Sequence, residues 1–169
     1  PVGATAVWVD EGSSGRRVIV GSDPSTMEVL YENQPATIGS FHAGDTNMAW
    51  LAGWDPFITT PGFARTELWT APTALTPAAM EPRLVAEVSG FVPISLGPTF
   101  VAVPWVEPSN RIVLYDLVDG RTRTFVLPPD QALPAPPLYA TETELVMVTW
   151  TSTEPSFLLS IDPSMLPYD

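Results

Sequence analysis

Four times along the chain an apolar run carries a tryptophan and is followed within a few residues by an acid. The runs are TAVWVDEGSSGRRVIVGSD (Thr5–Asp23), NMAWLAGWDPFITTPGFARTELWTAP (Asn47–Pro72), TFVAVPWVEPSNRIVLYDL (Thr99–Leu117) and ELVMVTWTSTEPSFLLSID (Glu144–Asp162). Their tryptophans, Trp8, Trp54, Trp105 and Trp150, are spaced 46, 51 and 45 residues apart. The acids are Asp10, Asp55, Glu107 and Glu154, the last three followed directly by Pro56, Pro108 and Pro155. Arg17, Arg65 and Arg111 open the next run in three copies, and Ser156 stands there in the fourth. A period of this length filled with short strands constrains the fold strongly. Each period is one supersecondary unit that buries its apolar faces only by stacking on its neighbours.

The strand-like runs are RVIV, TMEVLYE, TELWT, RLVAEV, IVLYDL, TRTFVL and SFLLSI, rich in β-branched and aromatic residues and bounded by Pro, Gly, Asp or Ser. Several are nearly continuous in apolar residues, the pattern of strands covered on both faces. Twenty prolines leave few helical windows, and only PAAMEPRLVAEV hints at a turn of helix. In the third copy VPWV reads as one strand, EPSN as a loop and RIVLYDL as the next strand. Asp119-Gly120 then forms a tight hairpin turn into RTRTFVL, because glycine accepts positive φ without a Cβ clash. The reading is an all-β fold of antiparallel β-propeller blades, about three and a half to four of them. The alternative is a β-sandwich, in which the repeat is accidental. The single repeat domain spans 1–169, with approximate units 1–45, 46–98, 99–142 and 143–169.

The tryptophan-bearing strand and the LYDLVDGRTRTF hairpin, with LWTAPTA and LLSIDPS as weaker echoes of its first half, resemble the β-propellers of the TolB-like, irregular-repeat kind. The resemblance covers nearly the whole chain and carries a fold more than a family. Trp-Asp repeat proteins carry Gly-His and Trp-Asp dipeptides in each blade. Here Trp54-Asp55 occurs once and Gly-His never, which argues against that branch. Propellers close four to eight blades into a ring, so this reading leaves an incomplete one. It is completed by a further segment, by a second copy, or by a four-bladed closure that borrows strands across the termini. The start, PVGATAVWVD, has neither an initiator Met nor a signal-peptide pattern, which implies processing or a longer parent chain. The resemblance also implies an extracytoplasmic bacterial setting: periplasmic, cell-surface or secreted.

Charge narrows the partners. Nineteen acids oppose seven arginines, with no lysine, for a formal net charge of −12. No basic footprint exists to neutralise phosphates, which excludes nucleic acid and disfavours anionic membrane surfaces. No apolar run is long enough to span a bilayer as a helix. Zero cysteines exclude disulfides and thiolate chemistry.

In equivalent copies Asp10, Asp55, Glu107 and Glu154 share one rim, where with Trp54 they form a candidate ligand-binding surface for a small cation or sugar hydroxyls. The plainer account makes the acids loop partners of Arg17, Arg65 and Arg111, with Trp8, Trp105 and Trp150 as structural repeat positions filling the space between blades. Glu154, whose copy has no arginine, is the acid most available to a ligand. No catalytic residue is assigned. His42 is the sole histidine, in the connector-like GSFHAGDTN (39–47), no G-x-S-x-G elbow occurs, and GSSG (12–15) reads as a hairpin loop. No metal site or cofactor is indicated. Calcium suits oxygen ligands, but no EF-hand or glycine-aspartate repeat occurs. VLPPDQ and ALPAPPL (126–138) read as a stiff connector between units.

The expectation is a non-enzymatic propeller scaffold for binding or assembly, with a protein partner or second copy completing the ring. The alternative is a propeller-type carbohydrate-active enzyme, a glycoside hydrolase or lyase, or the gating domain of one.

Overall fold

The computed structural model describes residues 6–11, 17–22, 27–32, 37–53, 65–73, 76–89, 92–105, 110–128, 138–141, 143–149 and 157–169. They form fourteen β-strands and two single 3-10 turns. Every strand pairing is antiparallel. No helix among the described residues is long and apolar enough to cross a membrane. The chain divides into two compact units, Pro1–Phe91 and Val92–Asp169.

The first unit holds two sheets. Strands β1 (Ala6–Glu11), β2 (Arg17–Ser22) and β3 (Met27–Tyr31) form a three-stranded meander. Strands β4 (Thr37–Ala43), β5 (Asn47–Gly53), β6 (Arg65–Pro72) and β7 (Arg83–Ser89) form a four-stranded one. Its core joins Ile19 and Leu30 from the first sheet to Ile38, Met48, Trp50, Ala52 and Ala71 from the second, with Val7, Val9, Tyr31 and Trp69 packed against them. Strand periodicity explains the selection. Met48, Trp50 and Ala52 share one face of β5, while Ala49 and Leu51, also fully buried, share the other. That two-sided burial is why NMAWLAG carries little alternation.

In the second unit β8 (Ser95–Leu96), β9 (Phe100–Trp105), β10 (Arg111–Asp116) and β11 (Thr122–Val126) form one meander. Strands β12 (Leu138–Ala140), β13 (Leu145–Thr149) and β14 (Phe157–Ile161) form another. Phe100, Ala102, Ile112, Leu114 and Leu127 pack with Leu145, Met147 and Ile161 across the two sheets. Full burial of each larger side chain contributes roughly 1.5–3 kcal/mol. The buried Ser95 hydroxyl accepts the Ala140 N–H at 2.9 Å, tying the first strands of the two sheets together without orphaning a polar group.

The apolar runs that hold or lead up to the four tryptophans form β1, β5, β9 and β13, with β5 and β13 ending just before Trp54 and Trp150, and the seven other strand-like runs form β2, β3, β6, β7, β10, β11 and β14. The hint of helix is a 3-10 turn at Pro77–Ala79, which gives way to β7 at Arg83. Gly120 closes the β10–β11 hairpin at φ 73°. Three strands differ from the sequence reading: β4, β8 and β12. GSFHAGDTN is not a connector throughout, since Gly39–Ala43 belongs to β4 and only the residues from Gly44 make the turn into β5. Each missed strand is the first of its sheet, so the expected boundaries at 46, 99 and 143 fall inside the β4–β5, β8–β9 and β12–β13 hairpins. These strands are short or rich in Gly and Ser, and their place is set by cross-strand partners more than by their own apolar pattern. The GSSG loop and most of the proline-rich stretch lie outside the described residues.

Candidate functional site

Members of the acid–arginine pattern are described at two places. At the loop end of the β1–β2 hairpin Asp10 faces Val18, and it is Glu11 that stands opposite Arg17. Asp10 is exposed and Trp8 half-buried on the same face of β1. In the second unit the half-buried Arg111 stands opposite Trp105 in the β9–β10 register. Arg17, Arg65 and Trp105 are described as backbone positions of β2, β6 and β9 only. Trp54, Asp55, Glu107, Trp150 and Glu154 lie outside the described residues. The proposed rim of four acids is therefore represented here by Asp10.

The best-formed concavity among the described residues lies in the second unit, at the other end of the hairpins. Asp116 closes β10, and Asp162 follows β14 directly. They come from LYD and SID, the third strand of each sheet when strands are counted by similarity to β9–β10. Together with Thr99, Phe100, Leu114, Arg123, Thr143, Pro163 and Ser164 they line a cleft of about 240 Å³. Phe100 and Leu114 make an apolar floor, and hydroxyls, carboxylates and one guanidinium form the rim. The volume is just below the roughly 300–1,000 Å³ of small-molecule pockets.

Each carboxylate is held by its own turn. Asp116 Oδ1 accepts the Val118 N–H at 2.8 Å and the Asp119 N–H at 3.2 Å, and the Tyr168 hydroxyl lies 3.4 Å from Oδ2. Asp162 Oδ1 accepts the Ser164 hydroxyl at 2.7 Å and the Ser164 N–H at 2.8 Å. The Ser164 hydroxyl, its N–H and the nearby Arg123 charge hold the Asp162 carboxyl below the usual range. Arg123 donates through Nη1 to the Pro163 carbonyl and through Nη2 to the Tyr168 hydroxyl at 2.6 Å.

Ser164 already donates its proton to an acid that stays ionised, and so weakly basic a carboxylate is a poor general base near neutrality. A glycosidase pair needs one carboxyl raised to act as acid, and Asp162, pushed down, is not that acid. His42 does not line the cleft. It sits exposed on β4 opposite Ala49, with partial burial lowering its imidazole. No cluster of three or more His, Asp or Glu able to hold a metal occurs among the described residues. The sequence reading weighed the acids that follow the tryptophans and passed over Asp116 and Asp162. The signal was present in the paired LYDLVDG and LLSIDPS echoes, each of which ends its strand on aspartate.

No protein-family model matches the chain, and no curated protein matches it. Among solved structures it is similar to a Mycobacterium tuberculosis puromycin-hydrolyzing peptidase, with a TM-score of 0.61 and 18% sequence identity. The similarity covers 99% of this chain and 28% of that one. The chain thus spans little more than a quarter of the peptidase's length, and at this identity the likeness is one of fold.

Proposed function

We propose that the chain is a non-enzymatic β-propeller module, part of a ring that serves binding or assembly in an extracytoplasmic setting. The observation that carries this reading is the succession of four antiparallel meanders, each of which takes one of its strands from a tryptophan-bearing run: β1, the first strand described in its sheet, and β5, β9 and β13, the second in theirs. Paired sheets share each core, as stacked blades do. The partner is a protein or a second copy of the chain, and the acidic surface suits a cationic or neutral one. A second reading, a gating module of a hydrolase, is favoured by one observation: the similar structure is a fraction of a peptidase.

Two measurements on the chain test this. Light scattering is expected to give a mass above that of one chain, or a stable complex when the partner is present. A well-folded single chain at every concentration, with no partner, would count against the ring. Incubation with puromycin is expected to release no product, and turnover that disappears in Ser164→Ala would falsify the non-enzymatic reading.

A further inference from the structure

The cleft of the second unit divides its hydrogen-bonding groups unevenly. Its strong donors are spent within the chain. Ser164 gives both its hydroxyl and its N–H to Asp162 Oδ1. Arg123 gives Nη1 to the Pro163 carbonyl and Nη2 to the Tyr168 hydroxyl, and its Cζ lies 4.1 Å from the Tyr168 ring centroid. The acceptors keep spare capacity. Asp162 Oδ2 accepts no hydrogen bond from the described residues, and Asp116 Oδ2 is reached by the Tyr168 hydroxyl alone, at 3.4 Å.

Charge follows the same division. Two carboxylates and one guanidinium line the cleft, which leaves one negative charge. Arg121 does not cancel it, being paired with Asp119 at 2.7 Å. Low-dielectric walls concentrate such a field, and here the floor is Phe100 and Leu114, both buried. An anion would face two carboxylates with the Arg123 Nη donors already engaged. A bare metal ion would leave the apolar floor uncovered, and no group of three ligating side chains stands among the described residues. A ligand with several N–H donors, one positive charge and a short hydrocarbon body matches acceptors, charge and floor together.

We propose that this cleft binds a primary ammonium group carried on a short alkyl chain, with Asp116 and Asp162 receiving its N–H donors and Phe100 and Leu114 covering its hydrocarbon. The proposal deepens the binding reading and rests on it only in taking the cleft as a place of binding. All the residues involved belong to the second unit, so closure of a ring does not enter. A free alkylamine and a lysine side chain on a partner protein share this chemistry. The chain itself has no lysine, so a second copy has no such side chain to offer.

Titration of the isotope-labelled chain with n-butylammonium chloride at fixed ionic strength, followed through its amide resonances, tests this. Saturating shifts are expected at Val118, Asp119 and Ser164, whose N–H groups bond the two carboxylates. So small a ligand should bind with a Kd on the order of millimolar. Butanol and butyrate, of similar size, are expected to give no saturating shift there. Asp116→Asn and Asp162→Asn each keep an oxygen for the turn, and each should weaken binding about tenfold through loss of a charge-assisted hydrogen bond. A lysine blocked at both its amino and carboxyl ends separates the sources. Comparable binding of it assigns the cleft to a partner's side chain, and binding of butylammonium alone assigns it to a free amine. The absence of saturation, or shifts spread evenly over both units as diffuse attraction to a chain of charge −12 would give, would overturn the site. Butanol binding as well as butylammonium, or unchanged binding in both variants, would overturn the role of the carboxylates. Light scattering remains the test of the ring, so either can fail alone.

Discussion

Trp50 shows how much a single position can depend on its neighbours. It is fully buried, its ring 5.1 Å from that of Tyr31 and tilted by 55°, and its Nε1 finds no hydrogen-bond partner among the described residues. Nearby, Trp69 satisfies its own Nε1 on Glu67 at 3.0 Å. Burial, with the Glu67 charge, pushes the Tyr31 hydroxyl up. Trp50→Ala is expected to cost about 3–5 kcal/mol, as large-to-small changes in a packed core do. Trp50→Phe should cost less than half as much, since it also removes an indole N–H whose unpaired burial costs about 1–3 kcal/mol. Urea unfolding of the two variants checks the order, and equal losses would mean that the N–H is satisfied. The tryptophan chosen from the sequence in this run was Trp54, for its Asp-Pro neighbour. Trp50 carries no such local mark, and what covers it is its partners on β4 and β6.

At the scale of the element, two glycines in the second unit serve different ends. A Cβ on Gly97, in the β8–β9 turn, would stand 2.6 Å from Phe100 Cε1, and that ring is only 6% exposed. A Cβ on Gly120 would meet nothing within 4 Å, but its φ of 73° disfavours any L side chain. Gly97→Ala should therefore lose about 1–3 kcal/mol through overpacking, and Gly120→Ala about 1–2 kcal/mol through backbone strain. Asparagine separates the causes. Gly120→Asn should recover part of the loss because Asn tolerates left-handed backbone, while Gly97→Asn should be worse than Gly97→Ala. Thermal melts of the four variants decide it. The Gly120 turn was legible from its Asp-Gly pair between two apolar runs. The Gly97 contact was not, because a ring three residues away becomes a neighbour only once the turn closes.

For the whole molecule the governing quantity is charge. At −12, self-repulsion opposes the compact state at neutral pH, and it relaxes as pH falls toward the sequence pI of about 4.2. Asp119 and Asp162 act against that relief. Hydrogen bonds from Arg121 and Ser164, respectively, hold their carboxyls below the ordinary value. A depressed folded pKa means that the unfolded chain binds the proton more readily, so the contribution is present above roughly pH 4 and is lost as pH falls through the folded value. Stability should therefore pass through a maximum on the acidic side and decline below about pH 4. In Asp119→Asn/Asp162→Asn that decline should be shallower, with the variant less stable than the parent at pH 7. Chemical denaturation across pH 2.5–7, a range spanning about the carboxylate pKa values, is the check; parallel curves would remove these two groups from the account.

The amino-acid sequence by itself determined the class of fold. Tryptophan runs at a spacing of 45–51 residues, punctuated by proline and glycine, specify consecutive short strands because side-chain alternation and turn chemistry act over a few residues. The tertiary structure alone decided which strand begins each described sheet, that Trp50 is fully buried, and that Asp116 and Asp162 share a cleft. Those outcomes depend on contacts between residues tens of positions apart. Asp116 and Asp162 stand 46 residues apart, and only the packing of one sheet on the next brings one turn beside the other.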